Sequence, residues 1–213
     1  MTMNRKKKKQ ALMRVKERNA YVPQVKAKQI KGTSVPCVVV DYKTGRSVEL
    51  LSQCEKYIWY LLRFDDNVQE IYEQYPLDLN ITMDLARTYG IKHPRNNSTP
   101  MTTDFLVERK HDYVAYSVKN DRSVLDNPRT IEKLFLEKKY WERVGVEFHP
   151  VFKEDLNMIL INNIMDVVSC YDRESVFSRF DELRYKIAHK MIEIDLSHEP
   201  INYKTMLKEQ ENE

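Results

Sequence analysis

Disulfide and cysteine–metal chemistry are the first things this sequence leaves out. Three cysteines, Cys37, Cys54 and Cys170, are odd in number and far apart. They provide neither a disulfide framework nor a zinc site, and they fit a reducing cytosol. The five histidines are scattered singly, so none pairs with another at ligand spacing. Long apolar runs are missing too, so no membrane span is expected. No apolar core follows the basic N-terminus, which excludes a secretory signal and leaves a cytoplasmic location as the expectation. There is no internal repeat, no helix-turn-helix signature and no zinc-finger pattern.

What is present is an ordinary soluble composition with an uneven charge. The 213 residues are 42% hydrophobic and 31% charged, enough for one good core and a small appendage. The formal net charge of +3 hides a basic arm. Residues 1–32 carry eleven Lys/Arg against one acid, Glu17, a local charge of +10 that the remaining chain offsets. Lys6, Lys7, Lys8, Lys9, Arg14, Lys16 and Arg18 are therefore candidate DNA contacts. The competing reading is a solvated tail. Residues 10–19 can form a short basic helix, yet the arm has too little apolar surface to fold alone. This divides the chain into an arm at 1–34, a core at 35–152 and a helical extension at 153–213.

Within the core, Cys37 to Tyr42 and Ser47 to Leu51 read as a hairpin around Lys43-Thr44-Gly45-Arg46. A helix starts at Ser52 and runs to about Phe64, with Tyr57, Ile58, Leu61 and Leu62 at helical spacing. Val68 to Leu77 reads as a strand, followed by a helix over Asp78 to Tyr89 and a Pro- and Asn-rich loop from Lys92 to Pro100. Two strands follow, Thr102 to Arg109 and Tyr113 to Lys119. Asn127 and Pro128 then open a second long helix that Gly145 closes. Its expected buried stripe is Ile131, Leu134, Phe135, Trp141 and Val144, and Val146 to Phe152 reads as a final strand. The result is an α/β (α+β) mixed sheet with helices on its faces. Apolar residues at helical spacing after Glu154, including Phe177, Phe180, Leu183 and Ile187, mark the extension as a candidate partner-docking region.

Phosphodiester hydrolysis at neutral pH needs a cation that stabilises charge on the phosphate and activates water. Mg²⁺ takes oxygen ligands and is satisfied by one or two carboxylates. Asp104, Ser117 and Lys119 suit that chemistry: residues two apart on a strand share a face. A two-residue turn would set Asp104 opposite Ser117 or Lys119, whereas a three-residue loop would set it opposite Val118. An Asp–Lys cross-strand ion pair is the plainer alternative. Glu55, one turn into the first core helix, is the third candidate. Ser52-Gln53-Cys54-Glu55 is also a capping box, in which Glu55 bonds back to the Ser52 amide. Glu73 is placed near the site, and Glu137 is read as a solvated helix residue.

Several short stretches occur in a fixed order: Lys43-Thr44-Gly45-Arg46, Leu50-Leu51-Ser52 with Glu55 three on, Glu73-Gln74-Tyr75-Pro76-Leu77 and Gly90-Ile91-Lys92-His93-Pro94. Thr103-Asp104-Phe105-Leu106-Val107, Val118-Lys119, and Leu136-Glu137 ahead of Tyr140-Trp141 complete the set. Across roughly residues 20 to 152 this ordered set resembles the TnsA transposon-end endonucleases. The resemblance implies a restriction-endonuclease-like core and cleavage of the 5′ strands at transposon ends. It implies Mg²⁺, with Mn²⁺ able to substitute, and partners in a TnsB-type transposase and a TnsC-type ATP-dependent regulator. It places the catalytic acids on Glu55 and Asp104, the lysine on Lys119, and a further metal ligand on the Val118 carbonyl.

Two departures stand out. Ser117 occupies a position where the family often has Gln and related nucleases carry Glu. The region after Phe152 is shorter than the winged-helix-like domain of larger members. A free-standing repair or junction nuclease and a catalytically idle DNA-bound adaptor are the alternatives, and retention of Glu55, Asp104 and Lys119 together argues against the adaptor.

Overall fold

The structure is a computed structural model that describes residues 21–30, 35–94 and 98–211. The candidate DNA contacts Lys6, Lys7, Lys8, Lys9, Arg14, Lys16 and Arg18 lie outside the described residues. Two compact units emerge: one from Arg46–Asp155 with the described residues up to Val39, the other from Val40–Gly45 with Leu156–Glu213.

Strand β1 (Cys37–Val40) and strand β2 (Ser47–Leu50) pair as a two-stranded sheet. The first strand ends two residues earlier than its apolar run suggests. The Asp41 carboxylate accepts the Lys43 N–H and the Thr44 hydroxyl, both at 2.9 Å, and turns the chain there. Helix α1 (Gln53–Phe64) follows, capped by the Ser52 hydroxyl, and buries Cys54, Ile58 and Trp59. Strand β3 (Val68–Pro76), helix α2 (Leu79–Thr88), strands β4 (Thr102–Arg109) and β5 (Tyr113–Lys119), helix α3 (Pro128–Val144) and strand β6 (Glu147–Phe152) complete the first unit.

The four later strands form one mixed sheet in the order β3-β4-β5-β6, antiparallel except for the parallel β5–β6 pair. This is the α+β arrangement of the restriction-endonuclease-like class. Tyr72, Leu106 and Ala115 of the sheet share a core with Leu85 of α2 and with Leu136, Tyr140, Trp141 and Val144 of α3. Phe105, Val107 and Val114, which alternate with those positions, are buried as well, so both faces are covered.

Helix α3 begins on the Asn127 side chain, which accepts the Arg129 N–H at 2.9 Å, and ends at Gly145, whose φ of +76° favours a residue without Cβ. Its buried stripe differs from the expected one. Ile131 is half exposed, and the face turned inward holds Leu136, Glu137, Tyr140, Trp141 and Val144.

One strand residue breaks the regular geometry. Gln74 has φ of +47° in the middle of β3, a left-handed conformation that costs a residue with Cβ about 1–2 kcal/mol. Register is unchanged across it, since Glu73 pairs with Phe105 and Tyr75 with Thr103. Side-chain alternation is reset: Tyr72 and Tyr75, three apart, join the same core cluster, which a regular strand forbids.

The second unit contains helices α4 (Met158–Val168), α5 (Arg179–Ala188) and α6 (Tyr203–Glu211). Ile161, Ile164, Val167, Leu183 and Ile187 are among its buried apolar residues. Asn163 ties down the segment between α5 and α6, donating to the Leu196 and Glu199 carbonyls at 2.9 and 2.7 Å. Phe177 precedes α5 and is 87% exposed.

The strongest buried charge contact in the first unit is Arg46 with Glu73. The guanidinium donates to both carboxylate oxygens at 2.9 Å and to the Ile71 carbonyl at 2.8 Å, and Glu73 is fully buried. Removing one partner of such a pair leaves a buried charge uncompensated. Arg46→Ala should therefore cost about 3–5 kcal/mol in urea unfolding. Arg143→Ala, which breaks the half-exposed pair with Asp84, should cost far less, because water screens that pair. Equal losses in the two variants would contradict this ranking.

Candidate active site

The β4–β5 ladder sets the geometry. It pairs Glu108 with Tyr113 and Phe105 with Tyr116, around a two-residue turn at Lys110 and His111 closed by the Arg109 N–H on the Asp112 carbonyl at 2.9 Å. One more step of that register puts Asp104 opposite Ser117. The backbone rung is replaced there by a side chain: the Val118 N–H donates to Asp104 Oδ2 at 2.6 Å. Ser117 Oγ donates to the same oxygen at 3.4 Å.

Lys119 completes this end of the sheet. Its Nζ donates to Ser117 Oγ and to the Val118 carbonyl, both at 2.8 Å, and lies 3.6 Å from Asp104 Oδ2. Asp104, Ser117, Val118 and Lys119 are thus brought together, and the expected Asp–Lys ion pair is present within the same constellation.

Glu55 arrives from α1 and serves the helix start as well. The Ser52 hydroxyl accepts the Glu55 N–H at 3.1 Å, and the Glu55 carboxylate accepts the Leu51 N–H at 2.9 Å and the Ser52 hydroxyl at 3.1 Å. The cap exists, with the Leu51 amide in place of the expected Ser52 amide. Burial, and then the charge of Asp104, push the Glu55 carboxyl up to about 8.

Two further residues belong here. Gln74 donates its amide to Glu55 Oε2 at 3.4 Å and to Asp104 Oδ1 at 3.2 Å, while its Oε1 accepts the Thr102 hydroxyl at 3.2 Å. Glu137 of α3 is 5% exposed, not solvated, and accepts a hydrogen bond from the Thr103 hydroxyl. Burial, and then Asp104, push its carboxyl up to about 8, against the opposing pull of Thr103, Lys119 and Ser117. Ser117 is short, and the carboxylate that approaches it comes from α3. Glu73, by contrast, is committed to Arg46 and takes no part.

Asp104, Ser117, Lys119 and Glu137 line an open cleft of about 550 Å³ together with Thr102, Thr130 and Lys133 and the apolar side chains of Pro94, Met101, Val124 and Leu134. Among the described residues, no three His, Cys, Asp or Glu side chains group as a complete metal cage.

The raised carboxyls have a thermodynamic consequence. Glu55 and Glu137 keep protons in the folded chain that they would release above about pH 4.5 when unfolded. Their contribution to stability is full below that value and is lost as pH rises through about 8. In EDTA, the melting temperature should fall between about pH 5 and pH 9, and Glu137→Gln should flatten the fall. A profile that rises over that range, or is unchanged by the substitution, would contradict the assignment.

With the geometry established, similarity to known proteins can be placed on it. Residues 65–152 match the family described as the TnsA-like endonuclease N terminal. The Transposon Tn7 transposition protein TnsA of Escherichia coli is 32% identical over 149 residues, covering 68% of this chain and 54% of that protein. The chain thus spans about half the length of this relative. Asp104, Ser117, Val118, Lys119 and Glu137 fall inside the 65–152 match, and Glu55 precedes it. Fold, ordered motifs and both matches agree, and residues 65–152 are similar to the TnsA-like endonuclease N-terminal domain.

Proposed function

We propose that this protein is a metal-dependent DNA endonuclease that cleaves the 5′ strands at transposon ends during cut-and-paste transposition. The observation that carries this reading is the convergence of Asp104, Lys119 and Glu55 at one end of the sheet, with Asp104 and Lys119 opening on a cleft. The donor set suits Mg²⁺ or Mn²⁺, which ask for one or two carboxylates, a carbonyl and water. Glu55 and Asp104 already converge on a single small group, the Gln74 amide, and every donor is a hard oxygen. Glu55, Asp104 and the Val118 carbonyl are the proposed ligands.

A cation held there supplies Lewis acidity toward the phosphate and toward water. The remaining work falls to the chain. Asp104 is fixed by the Val118 N–H, so its second oxygen stays directed toward the Gln74 amide. Lys119, anchored on Ser117 and Val118, offsets phosphate charge and orients the attacking water.

The transposition role and the partners extend from the relative's designation as a transposition protein. A TnsB-type transposase would position the DNA end, and a TnsC-type ATP-dependent regulator would contact the assembly. Cleavage should accordingly be weak for the isolated chain and appear with the transposase.

On transposon-end DNA with the transposase and Mg²⁺, Asp104→Ala should abolish 5′ nicking while circular dichroism stays unchanged. Glu55→Gln, which still caps α1 but is a poor ligand, should behave alike. Ser117→Ala should lose on the order of 10-fold. Normal nicking by folded Asp104→Ala would refute the site.

The basic arm is proposed to hold DNA phosphates through Lys6, Lys7, Lys8, Lys9, Arg14, Lys16 and Arg18. If about five charges engage, log K should fall against log salt with a slope of roughly −4 to −5. Deleting residues 1–20 should flatten that slope, and an unchanged slope would assign the arm elsewhere.

A further inference from the structure

Gln74 is the most unusual residue in the described chain outside the turns. It lies in the middle of a strand, 3% exposed, with a left-handed backbone. The unbroken register on either side places it across from Asp104. Every polar atom of its side chain is engaged at the site: the amide nitrogen with Glu55 and Asp104, the amide oxygen with Thr102. Glu55 comes from α1 and Asp104 from β4, so Gln74 is the shared partner of two acids on different elements.

We propose that Gln74 is a positioning residue for the cation site, its amide holding Glu55 and Asp104 together at the spacing a divalent cation requires. This rests on the metal-dependent reading above. Two acids directed at one point are costly to ionise together, and an N–H₂ group that donates to both keeps them turned inward. When a cation takes the place between the acids, the amide yields its contacts and the acids need not reorganise. The left-handed backbone follows from this task, because it delivers the amide to the Asp104 side of β3 while leaving Glu73 free to pair with Arg46. A purely structural role predicts something different: any residue content with a positive φ should serve equally well.

Asparagine and glycine separate the two roles. Both accept φ of +47° at least as readily as glutamine, and neither can bring an amide to both acids. Mn²⁺ titration calorimetry on the full chain, with thermal melting alongside, reads binding without relying on turnover. In Gln74→Asn and Gln74→Gly, the Mn²⁺ dissociation constant should rise about 10- to 100-fold, with only a small fall in melting temperature. The cation concentration for half-maximal nicking should rise in parallel, and the rate at saturating cation should recover. Wild-type Mn²⁺ affinity in both variants would overturn the proposal and leave the nuclease reading standing. A large drop in melting temperature in both would assign Gln74 to the fold and overturn it equally. Wild-type protein that binds no Mn²⁺ would remove both the proposal and the metal-dependent reading.

Discussion

Mutual repulsion among Glu55, Asp104 and Glu137 is the constraint around which this fold is arranged. Three carboxylates from α1, β4 and α3 are drawn to one end of the sheet, and two of them are held well above the ordinary carboxylate range by burial and by Asp104. Buried acids are tolerated only where donors meet them. The chain supplies the Leu51 and Val118 amides, the Ser52 and Thr103 hydroxyls, the Gln74 amide and the Lys119 ammonium. Three local concessions accompany these donors: a cap on α1, a side chain in place of a ladder rung, and a left-handed residue in β3.

The surrounding scaffold keeps those concessions from spreading. Arg46 locks β3 through Glu73 and the Ile71 carbonyl, and Tyr21 donates to the Glu73 carbonyl at 2.8 Å. On the α3 side, Tyr140, Trp141 and Leu136 fill the core beside Glu137, so the carboxylate is delivered by a helix that has little freedom to shift. An isolated acid at that depth would be an expensive core residue. In the cleft with Asp104 and Lys119 it becomes part of the site proposed for a cation and a phosphate.

Much of this was legible in the residues. The strand pair carrying Asp104, Ser117 and Lys119 followed from polarity two apart on apolar strands, and the choice of register turned on a turn length that the structure makes two residues. Caps at Ser52, Asn127 and Gly145 follow from side chains that satisfy local backbone groups, so they are read without tertiary information. Glu137 was readable and misread: positions 134, 137, 141 and 144 lie on one helical stripe, but a charged residue invites a solvated assignment. Glu73 and Gln74 were not separable in sequence. Which of two adjacent polar residues faces Arg46 and which faces the acids depends on a left-handed φ that no propensity of glutamine announces.

The coupling of Asp104 and Glu55 across elements is what turns a mixed sheet with a basic arm into a candidate nuclease. Crystals soaked in Mn²⁺ and measured at the manganese absorption edge test this most directly. The account predicts an anomalous peak between Asp104 and Glu55, within coordination distance of the Val118 carbonyl, with the Gln74 amide displaced from one or both acids. A manganese peak bound elsewhere, or none at saturating Mn²⁺ with both carboxylates still held by Gln74, would contradict it.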